Sequence, residues 1–112
     1  MREHIRELLR YLGVTANYRG YALATKACEL IEEDESLLLC VTRELYPKVA
    51  DFYGCNSDNV ERNIRTMIKR IWDEHPERLI EISRCDLTYQ PTVSEFLDYL
   101  VTYVQRSMMS KP

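Results

Sequence analysis

Between Tyr46 and Trp72 two helical periodicities meet at a turn, and this stretch restricts the fold more than any other part of the chain. Pro47 opens a short helix, where its missing N–H is one that a helix start leaves unused. Small Ala50 lets a second helix cross closely, and Gly54, four residues on, can take the positive φ that ends a helix. Ser57 is expected to cap the next helix by accepting a backbone N–H. Val60, Ile64, Met67, Ile68 and Ile71 then follow the i, i+4, i+7, i+8, i+11 rhythm of one buried face. Arg62, Arg65, Thr66 and Lys69 gather on the other. A helix-turn-helix over about 47–73 with a polar, partly basic second helix is the arrangement that reads the DNA major groove. The same pattern also occurs in all-α domains whose polar face is merely solvated, so both readings stand at this point.

The remaining elements read as helices too. Ile5, Leu8, Leu9 and Leu12 line one face of a helix over about Arg2–Leu12. After a loop from Gly13 to Gly20, a second helix from about Tyr21 to Glu33 buries Leu23, Ala24, Ala27, Cys28 and Ile31. A third, about Ser36–Leu45, uses Leu37, Leu38 and Val41. Pro76 starts a short helix to about Ile82. The capping box Thr92-Val-Ser-Glu95 starts a last one that buries Phe96, Leu97, Leu100, Val101 and Val104. Met108 and Met109 are expected on a frayed tail. No stretch alternates with period two, so a sheet is not expected. The fold class is all-α: one compact bundle of six to seven helices over residues 1–112, containing the helix-turn-helix.

At 112 residues the chain is long enough for a single core. Its longest apolar run, Leu37 to Val41, falls far short of the ~20 residues of a membrane span. The first residues, Met-Arg-Glu-His-Ile-Arg-Glu, lack the apolar centre of a signal peptide, so a cytoplasmic location is expected. Cys28, Cys40, Cys55 and Cys85 form no C-x-x-C pair and His4 and His75 add no cluster, which argues against zinc. They read as reduced, with Cys28 and Cys40 in helical core positions. No paired carboxylates, metal cluster or phosphate loop suggest catalysis, and no cofactor is expected. The net charge of −3 is the awkward feature for a DNA reader, because affinity for DNA rests on Lys and Arg neutralising phosphates. Acidic residues concentrate elsewhere, in Glu32-Glu33-Asp34-Glu35 and around Asp73-Glu74, while Ser57–Trp72 carries four basic side chains against two acidic ones.

Ordered identities across about Leu12–Arg106 carry a family resemblance. They comprise Leu12-Gly-Val14 with Gly20-Tyr21, Leu45-Tyr46-Pro47 with Ala50, Val60-Glu-Arg62 with Ile64-Arg65, Trp72, and Pro91-Thr92 with Ser94-Glu-Phe96. In these the chain resembles the C-terminal effector-domain family of stage-zero sporulation protein A, the response regulator of endospore-forming bacteria. The resemblance implies a helical domain that reads promoter boxes of the TGTCGAA type through the helix beginning near Ser57. The matching Glu61 would accept from a cytosine amino group, and the matching Arg62 and Arg65 would meet guanine edges or phosphates. Glu61 has a second reading, as the i+4 partner of Arg65. Around them Asp58, Asn59, Thr66 and Lys69 complete the expected DNA-facing set, with Arg19, Lys48 and Arg43 as phosphate contacts. Tyr18, Tyr21, Tyr46 and Tyr53 are expected near that side, and Trp72 in the core.

Three departures qualify what is carried over. Asn59 and Thr66 stand where better-known members have basic residues, and Asn prefers adenine where Arg prefers guanine. The segment between Trp72 and Pro91, where the family contacts the RNA polymerase sigma subunit, is shorter and recast. The family's phosphoacceptor receiver of about 120 residues does not fit in this length, so no receiver domain is expected. The expectation is a monomer in solution that binds double-stranded DNA, pairing only on tandem boxes. The other class left open is an interaction module that keeps the fold without binding DNA and sequesters a related regulator or a polymerase subunit.

Overall fold

Six α-helices and two irregular helical turns make up the regular structure of residues 1–109, the part of the chain described by the computed structural model, and no strand occurs among them. The helices are α1 (Arg2–Tyr11), α2 (Arg19–Glu33), α3 (Tyr46–Tyr53), α4 (Ser57–Glu74), α5 (Pro76–Ser83) and α6 (Val93–Met109). Their apolar stripes meet in one core in which Ile5, Leu9, Leu23, Ile31, Ile64, Ile68, Leu79 and Phe96 are fully enclosed. The radius of gyration, 13.1 Å, is that of a packed chain of this size. No helix among the described residues is long and apolar enough to cross a membrane.

Most stripes fall where the spacing puts them. The capping box closes reciprocally: the Glu95 N–H donates to Thr92 Oγ1 at 3.1 Å and the Thr92 N–H to Glu95 Oε1 at 2.9 Å. Gly54 ends α3 at φ 68°. Trp72 is half-buried against the core rather than enclosed in it.

Elsewhere the structure corrects the sequence reading. Helix α2 begins at Arg19, two residues earlier than expected, so Arg19 and Gly20 belong to its first turn. Between α2 and α3 there is no single helix over Ser36–Leu45. A 3-10 turn (Glu35–Leu39) ends at Cys40, whose φ of −139° breaks the ladder, and a π-helical turn (Val41–Leu45) leads directly into α3. Asp34 competes for the local backbone, accepting from the Ser36 N–H at 3.1 Å and from the Ser36 hydroxyl at 2.6 Å. The break leaves Leu38 and Val41 half-buried and turns Cys40 outward, so of the two cysteines assigned to the core only Cys28 is buried. Burial pushes the Cys28 thiol far up, which makes it inert as a nucleophile. Met108 and Met109 are helical, as the last residues of α6, and not a frayed tail.

Helix α4 is held by its stripe. Val60, Ile64 and Ile68 are 0% exposed and Met67 and Ile71 nearly so, each contributing about 1.5–3 kcal/mol by burial. A charge placed there is left without a partner. Ile64→Asp is therefore expected to cost more than about 3 kcal/mol, lowering the thermal midpoint by over ten degrees in a domain where ~1 kcal/mol moves it ~4–8 °C. A circular-dichroism melt within about two degrees of the parent would place Ile64 outside the core.

Candidate nucleic-acid interface

The outward face of α4 is fixed by how its first turn begins. Asn56, not Ser57, is the cap: its Oδ1 accepts from the Asn59 N–H at 2.8 Å, and Ser57 is the first helical residue. Both are good caps, and the extended backbone at Asn56 (ψ 165°) decides between them. Beyond the cap, Asp58, Arg62, Arg65 and Lys69 form an exposed row at i, i+4, i+7 and i+11, with Thr66 exposed beside it and Asn59 and Glu61 half-buried on its flanks.

Helix α2 docks against this helix through a glycine. A Cβ on Gly20 would stand 2.7 Å from the Asn63 carbonyl oxygen and 3.1 Å from Met67 Cβ, so only glycine lets the first turn of α2 lie on the α4 backbone. The contact brings Arg19 to the edge of α4, where it shares a groove of about 370 Å³ with Thr66, Lys69 and Arg70. Arg70 lies 4.9 Å over the Tyr18 ring at the same edge. Nothing was assigned to Arg70 from sequence, although it follows Thr66 by one turn. Lys48 is exposed on the first turn of α3, and neither it nor Arg19 makes a hydrogen bond or ion pair among the described residues. Of the expected tyrosines, Tyr21 and Tyr46 are buried while Tyr53 is 37% exposed.

Each basic side chain of α4 is already engaged one turn away. Arg65 donates to Glu61 at 2.7 Å, Lys69 to Asp73 at 2.9 Å and Arg62 to Asn59 Oδ1 at 2.8 Å, while Arg70 pairs with Glu74 at 3.4 Å. Both readings of Glu61 thus bear on the same side chain, whose partner in the free protein is Arg65. The sequence balance of four cations to two anions stopped at Trp72. The full helix adds Asp73 and Glu74 and is formally neutral. Such exposed pairs are worth only about 0.3–0.5 kcal/mol each, so the cations can be surrendered to a stronger anion. The pairing of Lys69 and Arg70 with acids four residues later has the weaker orientation and places those acids against the helix dipole. Beneath the row, burial pushes the Tyr46 hydroxyl up to about 12, with nearby Glu61 adding to it. It is neutral throughout the physiological range.

Residues 5–104 match the family described as the sporulation initiation factor Spo0A C-terminal domain. The chain belongs to that family. The Spo0A C-terminal family is the DNA-binding effector domain of a sporulation regulator, and it is not a catalytic family. In this member of the family the residues on which the resemblance rests divide by position. Gly20, Tyr46, Ala50, Val60, Ile64 and Phe96 are buried, whereas Arg62 and Arg65 are exposed on the outer row.

The Gly20 contact sets two effects against each other. Alanine would raise the helix propensity of α2 by about 1 kcal/mol, but its methyl would meet a backbone carbonyl that cannot rotate away, at about 1–3 kcal/mol or more. Overpacking wins: Gly20→Ala is expected to destabilise in denaturant titration, and a gain in stability would mean that α2 does not lie on α4 at this point.

Proposed function

We propose that this chain is a sequence-specific DNA-binding transcription regulator that lays α4 in the major groove of a short promoter box. The observation that carries the reading is the exposed row of α4, backed by a stripe wholly committed to the core. The row presents bidentate donors and an acceptor on a rigid rod whose width suits the groove. In this reading Arg62 and Arg65 meet guanine edges, Glu61 accepts from a cytosine amino group, and Asn59 reads a neighbouring base. Asp58 sits at the end of the row, where its charge admits a base amino donor but no phosphate. Thr66, Lys69, Lys48 and Arg19 contact the backbone, and Arg70 joins them from the groove it shares with Arg19.

Binding proceeds by exchange. As phosphates approach, Lys69 and Arg70 leave Asp73 and Glu74, and Arg65 leaves Glu61 so that both can address bases. Binding is weak and salt-sensitive, with a log-affinity against log-salt slope set by the few phosphates that Lys69, Arg70, Lys48 and Arg19 neutralise. Nothing in the reading supplies a dimer surface to the free protein, so it is monomeric in solution and pairs only on tandem boxes. Its affinity for one box is weaker than the ~10⁻⁸ M of typical specific regulators. The same neutrality of α4 favours a second reading, in which the domain sequesters a related regulator or a polymerase subunit instead of binding DNA.

The deciding experiment is titration of the chain with a TGTCGAA-type duplex and a scrambled duplex at two salt concentrations. Preference for the box supports the first reading, and equal, negligible binding to both supports the second. Arg62→Ala and Arg65→Ala are each expected to weaken box binding by about 1–3 kcal/mol with helical content unchanged. Unchanged affinity in both variants would remove α4 from the interface. Asp73→Asn removes the partner that Lys69 must leave and is expected to tighten binding by about 0.3–0.5 kcal/mol, the worth of the exposed pair. A weaker complex in that variant would rule out the exchange.

A further inference from the structure

The 3-10 turn that replaces the expected third helix does more than connect α2 to α3. It ends by holding Leu39 at 85% exposure, the side chain most at odds with its surroundings in the middle of the chain. Leu39 rims a groove of about 620 Å³ between the 3-10 turn and α6, alongside half-buried Leu38 and above Ile31 and Val101. An isolated surface leucine is unremarkable; this one stands with Leu38 at the apolar end of an open groove whose other walls are polar and acidic. The charges lining this trough are all negative: Glu35, Glu95 and Asp98. Asp98 accepts from the Thr102 hydroxyl at 3.1 Å and Glu95 serves the capping box, and among the described residues no ion pair to Glu35, Glu95 or Asp98 is formed. The backbone is set for display, because Asp34 ties down the start of the turn and Cys40 interrupts the ladder directly after Leu39.

We infer that this groove docks a basic amphipathic helix of a protein partner, with apolar residues on Leu38 and Leu39 and Lys or Arg side chains against Glu35, Glu95 and Asp98. An apolar contact at Leu38 and Leu39 flanked by a single sign of charge is what the helix-in-groove mode requires of the receiving side. The absence of any cation among the lining residues selects a basic occupant over an acidic one, and negative charge on the rim excludes nucleic acid. The groove includes no residue of α4, so a partner seated there leaves the DNA-facing row free.

The test uses a fluorescein-labelled helical peptide of about 18 residues, five turns long, with leucines on one face and lysines flanking them, and its counterpart with glutamate for each lysine. Each is titrated with the full chain and read by fluorescence anisotropy. The lysine peptide is expected to bind in the micromolar range, with Leu39→Ser and Asp98→Lys each weakening it about tenfold or more. Arg62→Ala is expected to leave it unchanged. Both substitutions lie at exposed positions, and unchanged helical content would show that each variant folds. Equal binding of the glutamate peptide, no binding of either peptide, or parent-like binding in both variants would overturn the inference. So would Leu39-dependent self-association in sedimentation, since a second copy would then be the occupant. Box binding by the same variants reads the other face separately, so failure here and failure of the DNA-binding reading are distinguishable.

Discussion

The packing of α4 onto α2 is the constraint on which the rest of the molecule depends. Gly20 lets the first turn of α2 lie against the α4 backbone at Asn63, and five apolar side chains of α4 are sealed behind it. Each burial contributes about 1.5–3 kcal/mol in a fold whose net stability is of order 5–15 kcal/mol. Helix α4 therefore cannot leave its place without unfolding the domain. Its outer row inherits the rigidity of the core, which is what a surface that must match the spacing of base edges needs. The same contact carries Arg19 to the edge of α4, so packing and the reach of the candidate interface come from one crossing.

Electrostatics sets a second character. A chain of net charge −3 that presents a neutral helix to a polyanion cannot rely on bulk attraction. The row instead holds its cations in shallow intrahelical pairs, each weak enough to be exchanged for a phosphate or a base edge. Under the DNA-binding proposal, discrimination rests on the fit of Glu61, Arg62 and Arg65, and less of the affinity comes from sequence-blind contacts. Acidic residues gather instead around the 3-10 turn and α6, where they bound the groove under Leu39.

Much of this was legible in the sequence because helical periodicity is a local signal. The stripes of α1, α4 and α6, the Gly54 turn and the Thr92–Glu95 box follow from spacing and cap chemistry alone. What escaped depends on competition between near-equal local choices or on contacts far along the chain. Asn56 and Ser57 are both good caps, and only the backbone angle decides between them. The apolar run Leu37–Val41 looks like a helix until Asp34 captures the Ser36 N–H and Cys40 departs from helical angles. Gly20 looked like the end of a loop, because its need for close approach comes from Asn63, far along the chain. The outward row of α4 was readable as a face, but the engagement of every cation on it was not. That requires side-chain geometry and the two acids beyond Trp72.

In the proposed reading the duplex is received by the outer row of α4 with Arg19 and Lys48 at its edges, and not by the α6 side of the domain. Amide chemical-shift mapping of the ¹⁵N-labelled chain titrated with box duplex addresses it directly. The account predicts that the perturbed amides cluster at Asp58–Lys69, Arg19 and Lys48, with Leu97–Val104 of α6 and the Glu35–Leu39 turn unmoved. Perturbations centred on α6 or the 3-10 turn, or none at saturating duplex, would contradict it.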